Sequence, residues 1–120
     1  SSRLIREKCP EKADAKRPFR LAVIQLGTYD GTIYNARQVV DKIGHLCDYI
    51  LFDSAWVGYE QFIPMMRDCS PLLLELGPED PGIFVTQSVH KQQAGFLSLH
   101  RFIRKTPTSE VRTASFRTRC

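Results

Sequence analysis

Asp53 closes one apolar run of the chain, and Ser88, His90 and Lys91 follow another. A carboxylate, a hydroxyl, an imidazole and a primary amine are groups that can meet a ligand, and their placement alone goes no further than ligand binding. Spacing alone leaves a second reading open, because an acid after one strand and a lysine after the next often form only a structural ion pair. A third polar stretch, GTYDGT over 27–32, matches neither G-x-G-x-x-G nor a phosphate loop ending in G-K-[ST]. Its glycines read first as turn residues. The four cysteines, Cys9, Cys47, Cys69 and Cys120, contain no C-x-x-C pair, so neither a zinc site nor a disulfide framework is expected and reduced thiols are. His45 reads as a structural or surface histidine, and no metal constellation is present in the sequence.

The elements that must position these groups are legible as changes of pattern. Residues 1–18 are polar, broken by Pro10 and Pro18, with room for a short helix around Arg3–Lys8 and then a linker. From Phe19 the chain turns apolar, and Leu21, Ala22, Val23 and Ile24 predict a strand buried on both faces. Ala36, Val39, Val40, Ile43 and Leu46 recur at helical spacing behind Asn35, a ready N-cap. Tyr49–Phe52 and Ile83–Val85 predict two more strands, separated by a long crossover that ends in GPEDPG. Strand, helix, strand, crossover, strand is the order of an α/β fold with a mostly parallel sheet and flanking helices. In such sheets ligands lie beyond the carboxyl ends of the strands, where GTYDGT, Asp53-Ser54-Ala55-Trp56 and Ser88-Val89-His90-Lys91 all fall.

Charge is distributed unevenly over the 120 residues and their net +4. Residues 1–20 balance to +4, residues 21–96 to −5 and residues 97–120 to +5. Basic ends around an acidic middle, without an aromatic-rich basic groove, do not make a nucleic-acid surface. No apolar run reaches membrane-spanning length and no signal-peptide core follows the charged N-terminus, so neither a nucleic acid nor a membrane is an expected partner and a cytoplasmic setting is.

The strings RPFRLAVIQLGTYDGTIYNARQVVDKIGHLCDYILFDSAWVGYEQFIPMMRDCSPLLLEL and DPGIFVTQSVHKQQAGF, from Arg17 to Phe96, closely resemble the bacterial ornithine/lysine/arginine decarboxylases. These enzymes have the aspartate-aminotransferase fold type. The combination of FDSAWVGYEQF with SVHKQQAGF is the specific part, and the likeness is greatest to the ornithine-specific members. The resemblance implies pyridoxal 5'-phosphate as cofactor and the partial large, cofactor-binding domain over 19–96. It implies that Lys91 joins the cofactor aldehyde as a Schiff base, and that Asp53 lies beneath the pyridine nitrogen and keeps it protonated. Read without it, Lys91 is a solvated charge and Asp53 a helix N-cap.

By the same resemblance Ser88 and His90 reach the cofactor phosphate, with His90 alternatively positioning Lys91. The two share a side if the strand continues that far. Ala55 and Trp56 match residues beside the cofactor ring, although Trp56 also reads as ordinary core. Thr28, Tyr29, Asp30 and Thr32 are secondary candidates for lining the site. The implied reaction is decarboxylation of ornithine to putrescine and carbon dioxide, with lysine or arginine as alternative substrates. A non-catalytic, basic-tailed binding module is the alternative from another class.

After QQAGF the chain departs from the family pattern. The family would continue with something like SQTSQIHKKDSHIKGQ, whereas residues 97–120 read LSLHRFIRKTPTSEVRTASFRTRC. Codons permitted for His100 through Arg112, read one frame over, give Gln-Ile-His-Lys-Lys-Asp-Thr-His-Ile-Arg-Gly-Gln, close to the missing continuation. Loss of one base near Phe96 accounts for this, and disorder is then expected over 97–120. The segments in which the family keeps other phosphate ligands, substrate-recognition groups and much of its subunit interface have no counterpart here. The chain alone is therefore expected to be an inactive, poorly soluble fragment of a homo-oligomeric parent.

Overall fold

The computed structural model describes residues 2–93, 99–105 and 111–117. A short helix α1 (Ser2–Lys8) and a 3-10 turn (Pro10–Lys12) precede the sheet. Arg17 ties this leader down by donating from Nη1 to the Cys47 carbonyl at 3.1 Å and from Nη2 to the carbonyl of Glu79. Strand β1 (Phe19–Gln25) leads through a loop into α2 (Ala36–Ile43), and β2 (Cys47–Ser54) follows. Asn35 caps α2 as expected, its Oδ1 accepting from the Gln38 N–H at 2.9 Å. The helix stops earlier than its apolar spacing suggests, because the turn Gly44–Leu46 tightens to 3-10 geometry before β2.

The crossover carries two 3-10 helices, Glu60–Phe62 and Pro64–Cys69, and delivers the chain to β3 (Gly82–Ser88), which passes directly into α3 (Val89–Gln92). Strands β4 (Leu99–Lys105) and β5 (Val111–Arg117) complete a five-stranded sheet of order β1-β2-β3-β4-β5. The first three strands are parallel and the last two antiparallel, so the α/β class holds with a mixed sheet. Ile50, Phe52, Ile83 and Val85 lose all exposure in one cluster with Ala36 and Val40 of α2.

Two expectations differ from the structure. Strand β1 is not buried on both faces, since Phe19, Leu21 and Val23 remain 44%, 48% and 61% exposed. It is an edge strand, and only the face shared by Ala22, Ile24 and the core is covered among the described residues. Within 97–120, where disorder is expected, β4 and β5 are strands; 97–98, 106–110 and 118–120 lie outside the described residues. The reason is that β3 otherwise presents a row of unpaired backbone groups, and backbone pairing accepts almost any sequence able to extend. Ile103, buried beside Val85, fixes β4 in register.

Candidate active site

Three parallel strands end at one level, with Gln25, Asp53 and Thr86 in register across them. Because side chains alternate along a strand, Asp53, Thr86 and Ser88 share the face opposite the α2 layer, while Ser54 and Gln87 point the other way. Asp53 Oδ1 accepts the Ala55 N–H at 3.0 Å and the Thr86 hydroxyl at 3.4 Å. The carboxylate thus caps a turn, and no α-helix begins there, which disposes of the helix-cap alternative. Among the described residues Asp53 and Lys91 form no ion pair. The simple structural-pair reading is therefore not what the strand ends adopt.

Lys91 instead sets its Nζ 4.3 Å from the centre of the Trp56 indole, a cation–π contact that joins the ends of β2 and β3. Trp56 is 37% exposed and so is not ordinary core. Tyr29 meets its ring edge-on with centroids 6.3 Å apart, which brings the GTYDGT loop to the same place. That loop is closed by the Gly27–Ile33 bridge, and a side chain at Gly27 would overlap the Val57 Cγ1 next to Trp56. Thr28 donates to Asp30, holding the exposed Asp30 carboxyl below its usual range. Thr32 contributes its backbone carbonyl to Thr28 N–H at 3.0 Å. Of the loop candidates, Tyr29 is the one whose ring meets Trp56.

Ser88 is buried, at 3% exposure, and His90 is half-buried. The strand does not continue far enough for them to share a side: it ends at Ser88, and His90 lies in α3, where residues two apart do not face each other. Ala55 supplies the N–H that fixes Asp53 and adds only a methyl group beside it. His45 is exposed on the turn after α2, before the start of β2 and so at the opposite end of that strand from Asp53. Sequence reasoning passed over Thr86, because the register that sets it beside Asp53 is not written in either strand. It also gave no role to Glu60, Gln87 and Gln93, whose polar atoms are buried.

An amine over an indole after one strand and a held carboxylate at the end of its parallel neighbour define a lysine-bearing strand-end site of an α/β domain. The chain belongs to a family with this description: the Orn/Lys/Arg decarboxylase major domain matches residues 1–117. It is 88% identical over 93 residues to an ornithine decarboxylase of Haemophilus influenzae, covering 78% of this chain and 13% of that protein. The inducible ornithine decarboxylase of Escherichia coli is 85% identical over 93 residues, with the same coverage. The biodegradative arginine decarboxylase of Escherichia coli is 37% identical over 82 residues, covering 68% of this chain and 11% of that protein. The chain thus spans about an eighth of the length of these relatives.

Proposed function

We propose that the whole protein to which this stretch belongs decarboxylates L-ornithine to putrescine and carbon dioxide, using pyridoxal 5'-phosphate. The observation that carries the reading is the Lys91 amine over the Trp56 indole, on the turn that Asp53 holds through Ala55, in a segment 88% identical to an ornithine decarboxylase and 37% identical to an arginine decarboxylase. Lysine and arginine rank below ornithine on that contrast, and membership of the family over 1–117 speaks against the binding module. The residues fit the cofactor. Asp53 keeps one oxygen on Ala55 and Thr86, which orients its carboxylate, and Ala55 leaves room for a flat ring.

When bound, the cofactor supplies an electron sink for the pair released as carbon dioxide leaves. In this reading Lys91 supplies the amine that holds the cofactor aldehyde, and its exposed position leaves it open to reaction. Asp53 would hold a proton at the pyridine nitrogen. Ser88 and His90 serve the phosphate end, and Trp56 packs beside the ring, with its indole setting the starting position of the Lys91 amine. A cytoplasmic setting and a homo-oligomeric parent belong to the same proposal. Among the described residues, no helix is long and apolar enough to cross a membrane.

The test uses the full-length protein supplied with pyridoxal phosphate and each of the three basic amino acids. Carbon dioxide release is expected first from ornithine, and borohydride reduction followed by peptide mapping is expected to place the label on Lys91. Release from lysine or arginine alone would move the substrate assignment. Absence of both release and label overturns the reading.

A further inference from the structure

Directly behind the strand-end site, on the α2 face of the sheet, lies a buried polar cluster that the proposed chemistry does not use. Ser54 and Gln87 are register partners on β2 and β3, with 0% and 1% exposure. Glu60, 1% exposed, reaches back from the crossover and accepts the Gly58 N–H on Oε2 at 2.5 Å. Gln61 closes the same turn by donating to the Gly58 carbonyl at 2.6 Å. Gly58 has φ +120°, open to glycine, and a Cβ there would overlap the Gln93 amide nitrogen and lie 3.1 Å from that of Gln87. Two amides and one carboxyl therefore meet around a single glycine, two residues after Trp56. Gln93 lies two residues after Lys91.

Such groups are costly in a core. Ser54 Oγ, Glu60 Oε1, both polar atoms of the Gln87 amide and Gln93 Nε2 are buried without a hydrogen-bond partner among the described residues. Leucine or methionine would fill the same volumes without the desolvation cost of about 1–3 kcal/mol for each unsatisfied group. Packing alone does not explain their presence. Their placement does, because each belongs to a segment that also carries a residue of the site: Ser54 adjoins Asp53, Gln87 separates Thr86 from Ser88, Gly58 follows Trp56, and Gln93 follows Lys91.

We propose that Glu60, Gln87 and Gln93, gathered on Gly58, are positioning residues that lock the Trp56 turn to the β3–α3 junction and so set the indole against the Lys91 amine. The inference rests on the reading of Lys91 and Trp56 as site residues. None of the three touches the reacting atoms. The hold is one of packing for the two amides, whose nitrogens close on the open side of Gly58, and of hydrogen bonding for Glu60, which accepts the Gly58 N–H.

The experiment uses the full-length protein with Gln93→Ala, Gln87→Leu, Gly58→Ala and the conservative Glu60→Gln. Hydrogen exchange without cofactor reads the lock independently of activity. Gln93→Ala is expected to speed exchange at 55–62, on the other element, and Glu60→Gln to leave it near the unmodified rate. With cofactor, Gln93→Ala and Gly58→Ala are expected to change the visible circular dichroism of the bound cofactor. They should lower kcat by about tenfold to a hundredfold, with KM little changed. Gln93 is only half-buried, so its alanine variant is the one to rely on if Gln87→Leu fails to fold. Unchanged exchange at 55–62 in Gln93→Ala overturns the proposal, as does an unchanged dichroism and kcat in folded variants. If the unmodified protein neither decarboxylates nor labels at Lys91, the functional reading fails, while the exchange result still decides whether the two segments are coupled.

Discussion

Asp53 is held by one backbone and one side-chain donor, Ala55 N–H and the Thr86 hydroxyl, so its orientation depends on the register of two strands as well as on its own turn. Replacing it by asparagine keeps the shape and removes the charge. In the full-length protein Asp53→Asn is expected to lower kcat by about a hundredfold to a thousandfold, the scale of losing one charge-stabilising group, while borohydride still labels Lys91. Loss of the label would mean that Asp53 builds the site rather than tuning it. Glu60 gives a pH prediction of definite sign. Burial raises its carboxyl above the ordinary 4.5 against the opposing N–H groups of Glu60 and Gly58. The folded chain then keeps a proton that the unfolded chain has released, so this group's contribution to stability falls as pH rises from the ordinary value through the raised one. Thermal unfolding of the wild type and Glu60→Gln from about pH 4 to about pH 7 should show the variant gaining on the wild type. A difference independent of pH would refute it.

At the scale of elements, α2 and β2 carry the part of the fold that positions Asp53. The helix is short, and its two buried residues, Ala36 and Val40, give it a narrow hold on the sheet. Its N-cap is therefore a sizeable share of its local stability: Asn35→Ala is expected to cost about 1 kcal/mol. Phe52, with no exposure beneath it, is expected to cost about 3–5 kcal/mol on truncation to alanine. Urea unfolding of the two variants should rank them in that order, and the reverse order would mean that capping outweighs core packing here. The long segment between β2 and β3 shows a different economy. Turns of 3-10 helix and prolines hold it, and its first turn brings Trp56 against Lys91 at the end of β3.

At the scale of the whole molecule the dominant feature among the described residues is a sheet whose β1 end is covered on one side. Phe19, Leu21 and Val23 stand exposed on β1, with Tyr49, Leu51 and Phe84 continuing the same face across β2 and β3. An apolar sheet face of this kind drives association when nothing covers it. The chain of residues 1–120 prepared alone is expected to self-associate, bind a hydrophobic dye and lack decarboxylase activity. Sedimentation showing a monomer, together with a sharp melt, would contradict this. The origin of residues 97–120 is a separate matter. We propose that they are the family sequence read out of frame after Phe96; the pairwise alignments with ornithine decarboxylases cover 88–93 residues, whereas the family match extends to residue 117. Resequencing the codons of Gly95 to Arg112 from independent template tests it: a shifted frame encoding the family continuation supports the proposal, and an intact frame rejects it.

The sequence by itself determined the three parallel strands, the capped helix and the family, but not β4 and β5, which are held by pairing on the edge of β3. Apolar runs, helical spacing behind Asn35 and the two long motifs are local patterns, and local patterns survive without knowledge of what packs on them. It also placed Asp53 and Lys91 at strand ends, because strand limits are marked by the change from apolar to polar residues. What it could not carry was anything decided between segments. Whether Lys91 meets Asp53 or Trp56, and whether Thr86 or Gln93 matters, depends on register and on how a crossover of some thirty residues folds back, which no neighbour in the chain specifies. The exposure of β1 likewise came only with the tertiary structure, because burial is a property of the cover and not of the strand.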